Sequence, residues 1–558
     1  MRAHVFPLAL VLVTFGAACG GSARTQKPAL SATWTAPSMF EKVPADSPYL
    51  IAVLDPMPEL MRKKSFAAID EKLTAAIAEM ESQRAVDRAT LPVDKRLLYA
   101  FLDEVKGKDL THWGRDLGFD PSGRFVLYGL SVWPVLRVAV TNEARVREVI
   151  AHMLAAAGVP VVEHSLKGRG YWQWSHDKIS VIASVLGGEV VFAVLPTPAL
   201  PRFLPIVLGL EHPARTLAEH DRLSELTTRH RFLSTMVGYL DAKIFADILT
   251  QRAPSASTEL DRPLHDALGP IDPTCKVDID RLVAIAPRLV WGYHQIDTHG
   301  VHGSFIIETP PAITAELERL RVAVPEVSTG LGDPATFRIG LAVKLDAVLP
   351  MLRKLADHVH AQPFACSWFS PINGAVDRLA DSLAKQLPPA LLGFRGFSLT
   401  LDEMTREPLD IHGHAVAVGD HVADLVALAI HTLPGMQSVS VLPDGRPVQL
   451  PLALLGVPAT TAGYVATRVD RAVLAIGPTA AAEVTRVLEL PLPPRSPLFS
   501  FGADMQRLLE LGLIDAADTS GMKNVALQLD VGPQGLAFEI YATYPATPTS
   551  GAPAKLAH

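Results

Sequence analysis

The chain has 558 residues, of which 49% are hydrophobic and 20% charged, and its formal net charge is −7. This apolar content excludes a wholly disordered chain, and the composition excludes collagen-like and coiled-coil proteins. The acidic charge balance argues against nucleic acid as a partner, because phosphate backbones demand an excess of basic residues. The length predicts two to four domains or repeated modules.

The N-terminus combines a basic residue, a short apolar segment and an early cysteine. Arg2 supplies a positive charge, Val5–Phe15 is an apolar segment, and small residues lead directly into Cys19, a pattern that resembles the bacterial lipoprotein signal. The apolar segment is too short to span a bilayer as a helix, which needs roughly 20 residues. We therefore predict a signal peptide over residues 1–18 and lipidation of Cys19. The alternative is ordinary signal cleavage, which would leave a secreted protein without a lipid.

The residues after Cys19 predict a flexible tether. Residues 19–40 lack periodicity and are rich in Gly, Ser, Thr, Ala and Pro. The resemblance to lipoprotein signals implies a protein held on the cell envelope by its lipid. It further implies the outer rather than the inner membrane, because Gly20 stands where an aspartate favours inner-membrane retention.

Four later segments predict a strand that leads into a helix, with an aspartate near the start of the helix. An aspartate there accepts hydrogen bonds from free backbone N–H groups, so we assign these aspartates structural roles. The segments begin at Tyr49, Met236, Arg338 and Phe499, and their aspartates are Asp55, Asp241, Asp346 and Asp504.

Other segments predict two strands joined by a short turn and followed by a helix, at 124–157, 179–209, 288–324, 397–430 and 464–490, and the chain closes with a hairpin at 524–544. Alternation in some strands leaves one sheet face polar. We predict the α+β class, with degenerate repeated strand–helix and hairpin–helix modules and antiparallel (mixed) sheets backed by helices. The predicted modules cover residues 41–212, 213–332 and 333–558.

Three cysteines are present, at positions 19, 275 and 366. If Cys19 carries a lipid, Cys275 and Cys366 are left as a pair in a compartment that permits disulfides. We predict that they form a disulfide, and the alternative is two buried free thiols. The spacing of the cysteines gives no metal site.

Three segments together resemble uncharacterised envelope lipoproteins that are typical of myxobacteria and their relatives. Leu117–Ile150 contains a Gly-x-Asp-Pro turn before two strands and a helix, Val43–Pro56 is similar to the usual start after the tether, and 471–490 is similar to the strand–helix unit again. The resemblance implies secretion, lipidation and a repeated α+β fold. It implies no activity.

No familiar catalytic motif occurs, including the nucleophile elbow, the P-loop and the zinc motif H-E-x-x-H. We therefore nominate no catalytic residue, no metal ligand and no cofactor. Trp172 and Trp174 alternate on one strand face, where packing competes with a sugar- or partner-binding role. Several histidines occur in small groups, for which polar turns and packing compete with metal binding: His294, His299 and His302; His412, His414 and His421; His358 and His360.

Three hypotheses for the function follow. The first is a lipid-anchored envelope protein with a non-enzymatic binding or structural role, and its partner would be another envelope protein. The second is a periplasmic carrier of an apolar ligand such as a lipid or lipoprotein. The third is a hydrolase with an unrecognised site, which requires a histidine within hydrogen-bond reach of a carboxylate or a serine.

Overall fold

A computed structural model describes residues 38–56, 74, 78, 91–107, 110–219, 222–251, 258–297, 299–328, 335–385, 389–406, 409–433, 435–455, 461–514 and 522–545. Helices and strands are both abundant in these residues, and the α+β class is confirmed. Every strand pairing in the described part of the chain is antiparallel.

The strands lie in the following order along the chain. They are β1 (Tyr49–Val53), β2 (Phe125–Leu130), β3 (Trp133–Ala139), β4 (Glu163–Leu166), β5 (Arg169–His176), β6 (Ile179–Leu186), β7 (Glu189–Pro196), β8 (Val237–Asp241), β9 (Arg288–Asp297), β10 (Gly300–Glu308), β11 (Phe337–Ala342), β12 (Phe394–Arg406), β13 (Leu409–Gly419), β14 (Val448–Leu450), β15 (Gly463–Thr467), β16 (Arg471–Ile476), β17 (Phe499–Asp504), β18 (Asn524–Gly532) and β19 (Gly535–Thr543).

The α-helices of the described residues connect these strands. They are α1 (Val93–Val105), α2 (Leu110–Leu117), α3 (Glu143–Ala156), α4 (Leu200–Val207), α5 (Arg222–Arg229), α6 (Ala242–Leu249), α7 (Thr258–Leu268), α8 (Pro273–Ile285), α9 (Pro311–Glu318), α10 (Leu345–Ala361), α11 (Ser370–Leu383), α12 (Pro389–Leu392), α13 (Val422–Thr432), α14 (Ala480–Leu488) and α15 (Met505–Glu510).

Two sets of strands form the sheet. The first set has the order β4-β5-β6-β7-β3-β2-β1-β8-β9, and the second has the order β10-β19-β18-β17-β11-β12-β13-β16-β15-β14. The sets meet where β9 lies beside β10, because Trp291 and Phe305 have ring centroids 6.3 Å apart and His294 and His302 have ring centroids 4.6 Å apart. Strands on both sides of the predicted boundary at 212/213 therefore belong to one set.

The predicted local units explain why these elements form. Strands begin at or near Tyr49, Met236, Arg338 and Phe499, and all six predicted hairpins are confirmed. Two of the four aspartates cap a helix as predicted: Asp241 accepts a hydrogen bond from the backbone N–H of Ile244, and Asp504 accepts one from that of Arg507. Asp346 lies in the first turn of α10, while Asp55 accepts a hydrogen bond from the Ser234 hydroxyl.

The largest core lies on one side of the first set of strands. It includes Leu50, Val126 and Ile182 from the sheet, Phe203 from α4, and Phe40 from the short turn Ser38–Lys42. Phe40 is fully buried, so the end of the predicted tether contributes to this core. Burial of such a side chain stabilises the fold by about 1.5–3 kcal/mol.

A fully buried charge also lies in this core. The Arg137 guanidinium donates hydrogen bonds to Glu189 Oε1 (2.8 Å) and to the backbone carbonyl of Val207 (2.8 Å), which ends α4. Lys42 pairs with the same carboxylate. The three charged side chains therefore connect β3, β7, α4 and the short 3-10 helix Ser38–Lys42. The Glu189 carboxylate compensates the charge of Arg137.

Candidate functional site

On one side of the second set of strands, apolar side chains of β10, β19, β18, β17, β11 and β12 form two unbroken cross-strand rows. In the antiparallel register, alternate residues of each strand share a face, so paired positions continue from strand to strand. The first row is Phe305, Phe538, Leu529, Phe499, Leu341 and Phe397. The second row is Ile540, Leu527, Phe501, Ile339 and Leu399. We call these two rows the open apolar face.

Five of the eleven side chains of the open apolar face are exposed and the other six are half-buried. Phe538 is 44% exposed, Phe305 and Leu527 are each 42% exposed, and Ile540 is 37% exposed. These values belong to neighbouring side chains on β10, β18 and β19. A contiguous apolar patch of this kind is unusual on a monomer and marks a site of interaction with a ligand, a protein or a membrane.

The opposite side of the same strands is polar and buried. Ser304, Glu539, Gln528, Ser500, Gly340 and Ser398 form a cross-strand row there, and its serines and Gln528 are each less than 9% exposed. The segment 322–328 covers part of this row, because Val327 lies against Gly340 and the Ser328 carbonyl accepts a hydrogen bond from Gln528 Nε2. The six strands of the open apolar face thus have their polar side inside and their apolar side outward.

Helices cover the outer strands on the open side. In the first set, Val146 and Ile150 of α3 pack against β6 and β7, and in the second set Ile430 of α13 packs against β15. The inner strands lie between these helices. The open apolar face therefore has a boundary set by the helices rather than extending over the whole sheet.

A buried ionic cluster holds the segment 322–328 on the polar side. His414 of β13 lies 2.5 Å from the Glu326 carboxylate through Nε2, and its Nδ1 lies 3.2 Å from Glu483 of α14 and 3.6 Å from Asp402. Glu326 has a left-handed backbone (φ 62°), a costly conformation for a residue other than glycine. Thr400 also donates a hydrogen bond to Glu326, at 3.4 Å.

The cluster fixes the charge of His414. Burial lowers the pKa of His414, but the carboxylates of Asp402 and Glu326 outweigh it and raise the pKa to about 9. The same histidine helps to lower the pKa of Glu326, although burial acts against it. At neutral pH His414 is therefore protonated and has no free lone pair to act as a general base.

We expect the His414 cluster to make stability depend on pH above neutrality. The pKa in the folded state, about 9, lies above the ordinary value of 6.5, so the stabilisation is complete below pH 6.5 and is lost as the pH rises through 9. The loss is on the order of 3 kcal/mol. Urea midpoints across this range should fall in the wild type and stay nearly level in His414→Gln. His412→Gln, two residues along the same strand, is the control, and an equal pH slope in all three proteins would contradict the prediction.

No protein-family model, no curated protein and no solved structure matches the chain.

The histidines of the β9–β10 hairpin lie at the junction between the two sets of strands. His294 Nε2 lies 2.8 Å from the Ser304 hydroxyl, and burial, followed by the charge of His302, lowers the pKa of His294 to about 4. The pair has the reach that a hydrolase requires. Ser304 is only 2% exposed, however, so the geometry supports a structural hydrogen bond.

The remaining predicted side chains are dispersed. His299 and His421 are exposed beside Asp297 and Asp424, His360 pairs with Asp377, and His412 pairs with Asp410. Trp172 is buried against Arg147 of α3, and Trp174 stacks on His176, so packing accounts for both indoles. Within the described ranges, no three His, Cys, Asp or Glu side chains are arranged to hold a metal ion.

Cys19 and the signal peptide lie outside the described residues. Cys275 of α8 and Cys366, which follows α10, form a disulfide. This bond joins a helix between β8 and β9 to the connection between β11 and β12. None of the helices in the described ranges is both long and apolar enough to cross a membrane.

The open apolar face was missed in the sequence, although its signal was present. In FSLTLDE, apolar and polar residues alternate from Phe397 to Asp402, and in NVALQLD the large apolar residues Val525, Leu527 and Leu529 alternate with Ala526 and Gln528. That alternation specifies two faces, but it leaves undecided which face the rest of the chain covers.

Proposed function

We propose that the protein is a lipid-anchored envelope protein that carries an apolar ligand, namely the hydrocarbon part of a lipid or lipoprotein. The observation that carries the proposal is the open apolar face, in which one row of Phe and Leu crosses six strands and a second row of Phe, Leu and Ile crosses five. Contiguous exposed apolar patches mark sites that bind apolar ligands, proteins or membranes.

The chemistry of the face favours hydrocarbon over a protein partner. Its two rows contain only Phe, Leu and Ile, without one side chain that donates or accepts a hydrogen bond. The hot spots of protein interfaces are enriched in Trp, Tyr and Arg and poor in Leu, and interfaces carry about one hydrogen bond per 100–200 Å². The strands of the face also pair on both edges, so no backbone groups are left there for an added strand.

The size of the face fits an acyl chain. Six strands at about 4.8 Å spacing give a length of roughly 24 Å. The hydrocarbon core of a bilayer is about 30 Å thick and holds two chain lengths, so one chain needs about 15 Å. One acyl chain can therefore lie along a row with its whole length in contact with apolar side chains.

The location of the protein is part of the proposal. The signal over residues 1–18, the tether and Cys19 support an envelope protein that is anchored by a lipid, as in the myxobacterial-type lipoproteins that the chain resembles. We favour the outer membrane over the inner membrane. An anchored carrier would hold its apolar face near the lipids or lipoproteins that it serves. A non-enzymatic role agrees with the protonated His414 and the buried Ser304.

We also infer that the fold contains two copies of one unit. From β10 outward the first unit has the order β10-β9-β8-β1-β2-β3-β7-β6, and from β19 outward the second has the order β19-β18-β17-β11-β12-β13-β16-β15. Each of these eight strands has a counterpart at the same place in the chain order, and β5, β4 and β14 lie beyond them at the outer edges. The last strands of the two units, β10 and β19, pair with each other. This correspondence supports repeated modules.

Replacing a side chain in the centre of the open apolar face is expected to weaken ligand binding at that face. Leu527→Asp puts a charge against the hydrocarbon, and loss of the leucine contact alone, about 1.5–3 kcal/mol, weakens affinity roughly 10- to 100-fold. Leu527 is 42% exposed, so the fold should tolerate the change. Binding is measured by titrating the purified chain with palmitate and with vesicles of phosphatidylglycerol.

Val469→Asp is the matched control, because Val469 is 76% exposed and lies in the turn between β15 and β16. Its affinity should equal that of the wild type. Failure of the wild-type chain to bind either lipid, or unchanged binding by a folded Leu527→Asp variant, would overturn the proposed function.

The anchor makes a separate prediction. In a Gram-negative host the mature wild-type chain should begin at Cys19, carry a diacylglyceryl-sized mass increment and fractionate with membranes. Cys19→Ser should lose both the increment and the membrane association. An unmodified wild-type N-terminus in the soluble fraction would refute the anchor and leave the ligand-binding proposal standing.

A further inference from the structure

The apolar row that passes through Phe305 continues into the first set of strands. Leu127 of β2 pairs with Ile51 of β1, Ile51 pairs with Gly238 of β8, and Gly238 pairs with Trp291 of β9. Trp291 in turn stacks on Phe305. The side chains of this continuation are again apolar, and Leu127, Ile51 and Trp291 are partly exposed.

Gly238 has a specific role in this continuation. An ideal Cβ at Gly238 would lie within 2.5 Å of the Trp291 indole, so the indole lies directly over the glycine. The Trp291 indole thus fills the space above Gly238, where β8 has no side chain. The row remains apolar across β2, β1, β8, β9 and β10.

The two parts of the row correspond under the strand equivalence. β2, β1, β8, β9 and β10 are the counterparts of β12, β11, β17, β18 and β19, and the row crosses each strand once in both units. Phe305 of β10 and Phe538 of β19 are paired where the two units meet. Ten strands at about 4.8 Å spacing give a length of roughly 43 Å, more than twice the roughly 15 Å of one acyl chain.

We infer that the first unit holds a second hydrocarbon-binding site, equivalent to the open apolar face, so that one chain binds two acyl chains. This inference rests on the proposed function and adds a second site to it. The occupant is an acyl chain rather than a peptide. None of the side chains in the added part of the row is charged, and the Trp291 indole N–H is their one hydrogen-bonding group.

The test is the number of palmitate molecules bound by the full chain, measured by native mass spectrometry and by titration. We expect two in the wild type and in Val469→Asp, and one each in Leu127→Asp and Leu527→Asp. Leu127 lies only in the first unit and Leu527 only in the second.

A second readout locates the palmitate that remains. Brominated palmitate should quench the fluorescence of Trp291 more strongly in Leu527→Asp than in Leu127→Asp, with Trp291→Phe as the reference for the Trp291 signal. Urea midpoints of the aspartate variants check that they are folded.

The outcomes separate the two proposals. Either of two results would overturn the second site and leave the proposed function intact. The first is that the wild type binds one palmitate. The second is that the wild type and Leu127→Asp bind two palmitates and Leu527→Asp binds none. No palmitate in the wild type would overturn both.

Discussion

Replacement of Cys275 and Cys366 by serine is expected to lower the free energy of unfolding by about 4–5 kcal/mol. The disulfide closes a loop with a sequence separation of 91 residues, and a cross-link of that span removes many conformations from the unfolded chain. The native contacts around it are also specific. Asp278 of α8 accepts a hydrogen bond from the Cys366 backbone N–H at 2.8 Å, and Arg281 lies over the Phe364 ring.

The measurement is urea unfolding of the wild type and of the Cys275→Ser/Cys366→Ser variant, each with and without reductant. Reductant should move the wild-type midpoint to that of the variant and leave the variant unchanged. If the reduced wild type unfolds at the oxidised midpoint, the loop constraint contributes nothing to stability.

Glu189→Gln is expected to destabilise the protein by about 3–5 kcal/mol. Arg137 is fully buried, and the Glu189 carboxylate is its charged partner at 2.8 Å. Removing that charge leaves the guanidinium in the core without compensation. Water cannot reach the guanidinium there, so the cost of desolvating the cation is no longer offset.

An exposed ion pair supplies the matched comparison. Arg147 and Glu163 lie 2.6 Å apart, but their side chains are 35% and 45% exposed, so Glu163→Gln should cost less than about 1 kcal/mol. Arg137→Met should reduce the penalty of Glu189→Gln, because the uncompensated cation is then gone. Equal costs for Glu189→Gln and Glu163→Gln in urea unfolding would contradict the prediction.

Local sequence patterns predicted most of the elements. The strands that start at Tyr49 and Phe499, and the caps at Asp241 and Asp504, follow from residues within a few positions of one another. Alternating apolar residues and helix caps act over such short distances that neighbouring residues decide them. With Cys19 assigned to lipidation, Cys275 and Cys366 were the two cysteines left, so the sequence allowed one disulfide pairing.

The candidate site could not be predicted in the same way. His414 and Glu326 are 88 positions apart, and Arg137 and Glu189 are 52 apart. The sequence gives no sign that these residues meet, because strand order and helix placement bring them together. The same holds for Phe305 of β10 and Phe538 of β19, which are paired across these two strands.

By itself, the sequence determined the α+β class and the order of the strand–helix and hairpin–helix units, and it predicts a lipoprotein signal at the N-terminus. Only the tertiary structure decided which side of each strand is covered. In β12 the residues Ser398 and Thr400 are buried beneath the segment 322–328, while Leu399 between them is 38% exposed. Strand alternation creates two faces of different polarity, and it is the packing of distant segments that leaves the apolar one open to a ligand.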